Sequence, residues 1–202
     1  MHAVRQAVSD LTESDLRAMR FKDLMALFGR LPAPSLQDMD GEFAARLLAQ
    51  PNAAAQVIGH LTVNNPLMPG RWLCKAFTPV SADRGQGYNS FAHLGRTVQR
   101  YPMQTLIAPS RYDGRPAYTL VYAAFSSMCG AIHMVDEVRR VAPGLYLGIG
   151  TWGFTDGQRQ VPLPFMLRGP IAPYAGHIGR RKQGFNVHQE IPALRHTARQ
   201  KG

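Results

Sequence analysis

The hydrophobic period of this chain changes at Gly70, and that change restricts the fold more than any other feature. From there on, apolar residues recur at every second position. The segments lie near 71–78, 88–94, 96–107, 117–125, 130–141, 145–154 and 160–168, and they are rich in Val, Tyr, Phe, Thr and Ile. Period two sends alternate side chains to opposite faces of a strand. The breaks carry turn chemistry, as in Asp83-Arg84-Gly85-Gln86-Gly87, Tyr112-Asp113-Gly114-Arg115-Pro116, Ala142-Pro143-Gly144 and Thr155-Asp156-Gly157. No helix-periodic stretch separates one segment from the next, which argues against parallel crossover units. Seven or eight sequential antiparallel strands must close into a barrel or pack as two sheets.

Before Gly70 the pattern is helical. Thr12-Glu13-Ser14-Asp15 resembles a capping box, and Leu16, Met19, Leu24, Leu27, Phe28 and Leu31 follow helical spacing. Gly29, Pro32 and Pro34 provide a stop. A second helix is expected from near Leu36 to Leu48, with Met39, Phe43 and Leu47 on one face, and a short third through Ala53 to Leu61. Asn64-Asn65-Pro66 and Pro69-Gly70 close the region. Residues 1–69 are therefore read as a helical leader packing on the barrel, and residues 70–169 as the barrel itself.

Residues 170–202 are read as an irregular basic arm. The chain carries a net charge of +10, and seven basic side chains against one acidic fall in residues 168–202. They include Arg180-Arg181-Lys182, Arg195, Arg199 and Lys201, among Pro170, Pro173, Pro192, Gly176, Gly179 and Gly184. Such a stretch lies over a surface or extends from it, and it could contact a second copy of the chain. No nucleic-acid motif accompanies it, so no specific nucleic-acid partner is expected. Two cysteines, Cys74 and Cys129, make neither a disulfide framework nor a zinc site. No segment has the roughly 20 apolar residues of a membrane span. Met1 to Gln6 runs into Asp10 and Glu13 without an apolar core, so no secretory signal is expected and a cytoplasmic setting is.

Gly70-Arg71-Trp72 stands at the entrance to the first of these strands and Arg168 at the end of the last. With seven or eight sequential strands between them, residues 70 to about 169 resemble lipocalins and their calycin relatives. In those proteins a Gly-X-Trp motif opens the first strand, and its Trp packs at the closed end beneath a basic side chain. The chain is similar to a distant, bacterial lipocalin-like protein with an added helical leader. The resemblance implies a mainly β fold, an antiparallel lipocalin-like β-barrel with Trp72 under Arg168, that binds a small molecule within.

Candidate chemistry concentrates in Ile132 to Val141. One strand face carries Ile132, Met134, Asp136, Val138 and Arg140; the other carries His133, Val135, Glu137, Arg139 and Val141. Each face holds a carboxylate and an arginine two residues apart, so a charge points inward whichever face is core, and burial there costs free energy unless it is paired. Tyr101 shares a face with Met103, Tyr118 shares one with Tyr122, and Tyr146 with Trp152 and Phe154, as an aromatic pocket wall or an ordinary core would require. Gly148 and Gly150 strip one face of their strand, consistent with barrel curvature or close approach. The expected ligand residues are Tyr101, Met103, Tyr118, Tyr122, His133, Met134, Arg139 and Trp152. Were the protein an enzyme, Asp136, Glu137 and Tyr101 would be its acid–base groups. The histidines are too scattered for a metal set, and no cofactor is expected. The reading is a barrel that binds a small apolar or aromatic molecule, with a cofactor-free isomerase, cyclase or lyase in the same cavity as the alternative.

Overall fold

The computed structural model describes residues 10–191 and 193–194. Its centre is a closed barrel of eight antiparallel strands in which every neighbour in sequence is a neighbour in space. These are β1 (Gly41–Leu47), β3 (Gly70–Pro79), β4 (Arg84–His93), β5 (Arg96–Pro109), β6 (Pro116–Val121), β7 (Val135–Ala142), β8 (Leu145–Gly150) and β9 (Leu163–Ala172). A two-residue strand, β2 (Asn64–Asn65), adds to one edge of β3. The alternating segments read from the sequence all contain strands of this meander; the breaks at Gly114, Gly144 and Gly157 lie between strands, whereas Gly85 and Gly87 belong to β4.

The largest departure from expectation lies before Gly70. The stretch near Leu36 to Leu48, expected to be a second helix, holds β1. Met39, Phe43 and Leu47 are spaced by four residues, which places side chains on one face of a helix and equally on one face of a strand. Closure decides between them. β1 pairs with β3 from Gly41↔Phe77 to Ala44↔Cys74 and with β9 from Glu42↔Ala172 to Leu47↔Phe165. Without it, β3 and β9 would present two open edges of unpaired backbone groups. The barrel thus begins before Gly70.

Three helical pieces precede or interrupt the strands. Helix α1 (Glu13–Ala18) starts at Thr12 with a complete capping box, and α2 (Phe21–Phe28) follows. Their apolar faces bury Leu16, Leu24, Leu27 and Phe28 against Val141, Leu145, Leu147, Ile149 and Met166 on the outer face of β7–β9. Helix α3 (Ala53–Val63), capped by Asn52, lies across one barrel end. After the barrel, residues 173–191 run back over its outside. Tyr174 stacks on Tyr88 with ring centres 5.0 Å apart, Lys182 N donates to Ala124 O, and Ile191, 1% exposed, packs with Ala108, Val121 and Val135. Arg195, Arg199, Lys201, Pro192 and the N-terminal Met1 to Gln6 lie outside the described residues.

The interior has two halves. Toward one end Phe43, Phe77, Met103, Tyr118, Val138 and Tyr146 form a solid core, with Phe43 5.6 Å from Tyr146 and Phe77 5.4 Å from Tyr118, both edge-on. Toward the other end, under α3, the barrel is hollow.

Candidate functional site

The hollow half is a cavity of about 380 Å³ whose wall is largely apolar: Leu47, Phe91, Tyr101, Met134, Trp152 and Leu163 among others. α3 contributes Ile58 and Val63 to its roof, and the short helix α4 (Met128–Ala131) contributes Met128 and Cys129. At its floor sits a polar cluster. Lys75 Nζ, on a side chain 4% exposed, donates to Asp136 Oδ2 at 2.9 Å, to Tyr122 Oη at 2.5 Å and to Asn89 Oδ1 at 3.1 Å. Tyr122 donates to the same Asp136 oxygen at 3.0 Å, and Trp72 Nε1 donates to Asn89 Oδ1 at 3.1 Å. The ammonium also lies 5.2–5.3 Å from the ring centres of Trp72, Tyr122 and Phe165, within cation–π range. Burial and the adjacent Asp136 charge push the Tyr122 phenol well above its ordinary pKa, so it stays protonated and remains a donor.

Two irregularities build this cluster. At Leu73 the β3–β4 register shifts: Trp72 pairs with Phe91, but Cys74 pairs with the adjacent Ser90. This bulge re-phases β3, so Trp72 and Lys75, three apart and of opposite parity, both reach the interior. A second shift pairs Gly87 with Met103 and Asn89 with Arg100, which puts the extra residue of β5 near Tyr101, at φ +55°. On β8 the interior-facing positions after Tyr146 are Gly148 and Gly150. A Cβ on Gly148 would meet the Phe165 ring at 2.2 Å, so its absence admits that ring. A Cβ on Gly150 would lie 3.3 Å from Asp136 Oδ1, so its absence relieves crowding beside that oxygen. Asp136 Oδ1 is buried and has no hydrogen-bond partner among the described residues.

The expected site residues divide between inside and outside. Asp136, Tyr122, Tyr101, Met134 and Trp152 line the cavity. Met103 and Tyr118 point inward too, but into the solid half, where the Tyr118 hydroxyl donates to Thr105 at 2.8 Å. Glu137 and Arg139 are on the outer face of β7. Glu137 Oε1 accepts from Arg111 Nε at 2.9 Å, and Ser110 donates to Oε2. Arg139 grips Asp113 with two bonds of 2.6 and 2.7 Å and stacks over Phe28, 4.6 Å from its ring centre. These two pairs lock the loop after β5 and the end of α2 to the barrel wall, and neither approaches the cavity. His133 lies in the turn after α4, at φ +53°, with Nδ1 2.8 Å from Glu190 Oε2. It precedes β7, because residues 128–131 form a helical turn capped by Ser127 and the strand expected from residue 130 starts only at Val135.

Trp72 does not sit under Arg168. Arg168 shares parity with Met166 on the outer face of β9, and its side chain, 60% exposed, reaches Glu13 of α1 at 3.4 Å. Trp72 faces the hollow end instead, edge-on to Phe165 at 5.8 Å, and the cation beside it is Lys75. Lys75 escapes a reading by strict alternation, because the bulge at Leu73 lies between it and Trp72. The available signal was a lone lysine in the apolar run Trp72-Leu73-Cys74-Lys75-Ala76-Phe77.

Among the described residues no group of three or more His, Cys, Asp or Glu is placed to hold a metal ion, and no helix is long and apolar enough to cross a membrane. No protein-family model matches the chain, and no curated protein matches it. Among solved structures, a protein from Thermomonospora curvata aligns with a TM-score of 0.54 at 16% identity, over 83% of this chain and 98% of that one. An odorant-binding protein from bovine nasal mucosa aligns with a TM-score of 0.37 at 11% identity, over 84% of this chain and 86% of that one. The closed up-and-down meander of eight strands defines the class: the fold is a lipocalin-like β-barrel.

Proposed function

We propose that the barrel binds one small, mainly apolar or aromatic molecule that carries a single hydrogen-bond donor, such as a phenol or an alcohol. The supporting observation is Asp136 Oδ1, a buried acceptor without a protein partner beside Gly150, at the polar floor of a largely apolar cavity that Gln50, with its own unpartnered Oε1, also lines. Leaving such an oxygen unmet costs about 1–3 kcal/mol, which a ligand hydroxyl recovers. All three Lys75 protons are already engaged, so the unmet group at the floor is the Asp136 acceptor, which a ligand donor satisfies. The volume is some two and a half times the roughly 150 Å³ that holds benzene, which suits a molecule of about two rings.

The test pairs native mass spectrometry of copurifying molecules with thermal shifts for aromatic alcohols and their methyl ethers. Ligand at 100 times its Kd should add about 2.7 kcal/mol of stability. The alcohol should bind roughly 5- to 150-fold tighter than the ether. Equal shifts for both would remove the role given to Asp136. The alternative, a cofactor-free isomerase, cyclase or lyase, draws on the proton-carrying groups Lys75, Tyr122 and Asp136 meeting in one cavity, and it would show as turnover of the bound molecule. A cytoplasmic setting and a second copy docking on the basic arm also belong to this reading.

A further inference from the structure

We infer that Lys75 is a covalent anchor for carbonyl compounds, its ε-amine condensing with an apolar aldehyde in the cavity to form an imine. This rests on the cavity being a small-molecule site and adds a ligand class to it.

The choice of cation points this way. Nineteen of the 23 Lys and Arg residues are arginines, yet among the described residues the one Lys or Arg lining the cavity is a lysine. A guanidinium would make more hydrogen bonds there but cannot give up its proton; an amine can, and then becomes a nucleophile. Of the four lysines, Lys22 is exposed, Lys182 half-buried and Lys201 outside the described residues, while Lys75 is 3% exposed and walls the cavity.

The surroundings supply each step. Asp136 Oδ2, 2.9 Å away, takes one proton from the ammonium, and because both charges vanish together no lone buried charge is left behind. The freed lone pair of Nζ adds to the aldehyde carbon; the new C–N bond forms as the carbonyl π pair moves to oxygen. That oxygen receives the second amine proton and becomes a hydroxyl. Asp136 returns its proton to the hydroxyl, the C–O bond breaks and water leaves through the mouth. The product is a protonated imine beside an Asp136 carboxylate, so the site ends with the charges it began with and needs no oxidant or reductant. The rings of Trp72, Tyr122 and Phe165, 5.2–5.3 Å from Nζ, favour the cation at the start and at the end.

The experiment uses the full chain with cinnamaldehyde and sodium cyanoborohydride, followed by intact-mass and peptide mass spectrometry, with cinnamyl alcohol as the matched non-condensing probe. One reduced adduct per chain should form on the peptide containing Lys75. Prior saturation with cinnamyl alcohol should suppress it at least tenfold, and K75R should abolish it. An adduct spread over Lys22, Lys182, Lys201 and the N-terminus, or one insensitive to the alcohol, overturns the anchor. Binding of the alcohol with no aldehyde adduct on Lys75 overturns the anchor and leaves the cavity reading standing. Failure of both probes to bind overturns both. The alcohol competition on unmodified protein decides the matter even if K75R does not fold.

Discussion

Removing one member of the Lys75–Asp136 pair tests whether the cavity floor is held by compensated charge. Asp136→Asn keeps the shape of the side chain and deletes its charge. Both side chains are at most 4% exposed, so bulk water cannot replace the lost partner. Breaking a buried pair in this way costs about 3–5 kcal/mol. The lower end is expected here, because the ammonium keeps the oxygens of Asn89 and Tyr122 and three ring faces worth roughly 0.5–2 kcal/mol. For a chain of this size each kcal/mol moves the midpoint by about 2–4 °C, so the melting temperature should fall by roughly 6–12 °C. Lys75→Met should cost a similar amount by stranding the carboxylate. The double variant Lys75→Met/Asp136→Leu removes both charges, and its loss should be smaller than the sum of single-variant losses by at least about 2 kcal/mol. Urea melts followed by tryptophan fluorescence suit the question, since both tryptophans, Trp72 and Trp152, line the cavity. Additive losses, or an Asp136→Asn variant within about 0.5 kcal/mol of the parent, would refute the argument from a compensated pair.

Four further outcomes follow from packing and charge. Gly148→Ala should destabilise by about 1–3 kcal/mol, because its Cβ would strike the Phe165 ring, and adding Phe165→Leu should recover part of that in the same melts. Ile191→Ala should cost about 2–5 kcal/mol if the arm is part of the folded unit; no change on denaturation would mean that the arm is dispensable. Hydrogen bonds from Arg139 hold the Asp113 carboxyl below the usual range, so its contribution is complete above the unfolded value near 3.9 and is lost as pH falls through the lower folded value; the gap between parent and Asp113→Asn should close in melts taken below about pH 4. Burial raises the Cys74 thiol to about 11 and the Cys129 thiol to about 12, so native protein should resist iodoacetamide at pH 8 while urea-unfolded protein reacts, and stability should decline as pH rises from about 9 through those values.

How far the sequence disclosed this molecule depends on which physical rule each residue obeys. Strands β3 to β9 were legible because alternation and Gly-based turns act locally. β1 was not, since Met39, Phe43 and Leu47 satisfy two periods at once and only the distant edges of β3 and β9 choose between them. On β7 both faces carry a carboxylate and an arginine, so alternation could not say which face is inner. The helices α1 and α2 settle that by covering Val141 and leaving Asp136 to the interior. Hence Asp136, Tyr122, Tyr101, Met134 and Trp152 reach the cavity, while Glu137, Arg139 and His133 do not. Lys75 was missed because an unpaired residue at Leu73 re-phases its strand, and alternation applied across a bulge fails for every residue beyond it; Asn89, in phase with Phe91 on β4, carries no charge to draw notice. Arg168 was expected under Trp72 from the family resemblance alone; it faces out and pairs with Glu13 of the leader.

The position of β1 between β3 and β9 has a consequence for how the chain is made. Both its hydrogen-bonding neighbours are encoded downstream, and one of them ends only at Ala172. At about 5–20 residues per second, the ribosome needs on the order of ten seconds after β1 emerges before β9 exists to receive it. During that interval β1 can pair only with β3, and the apolar stripe of α1 and α2 has no β7–β9 wall to cover. The nascent meander therefore grows as an open, curling sheet with one adhesive edge. Closure is a late, single event that seals the cavity and docks the leader together, so the newborn chain is most vulnerable to holdases, proteases and its own neighbours just before its last strand is released.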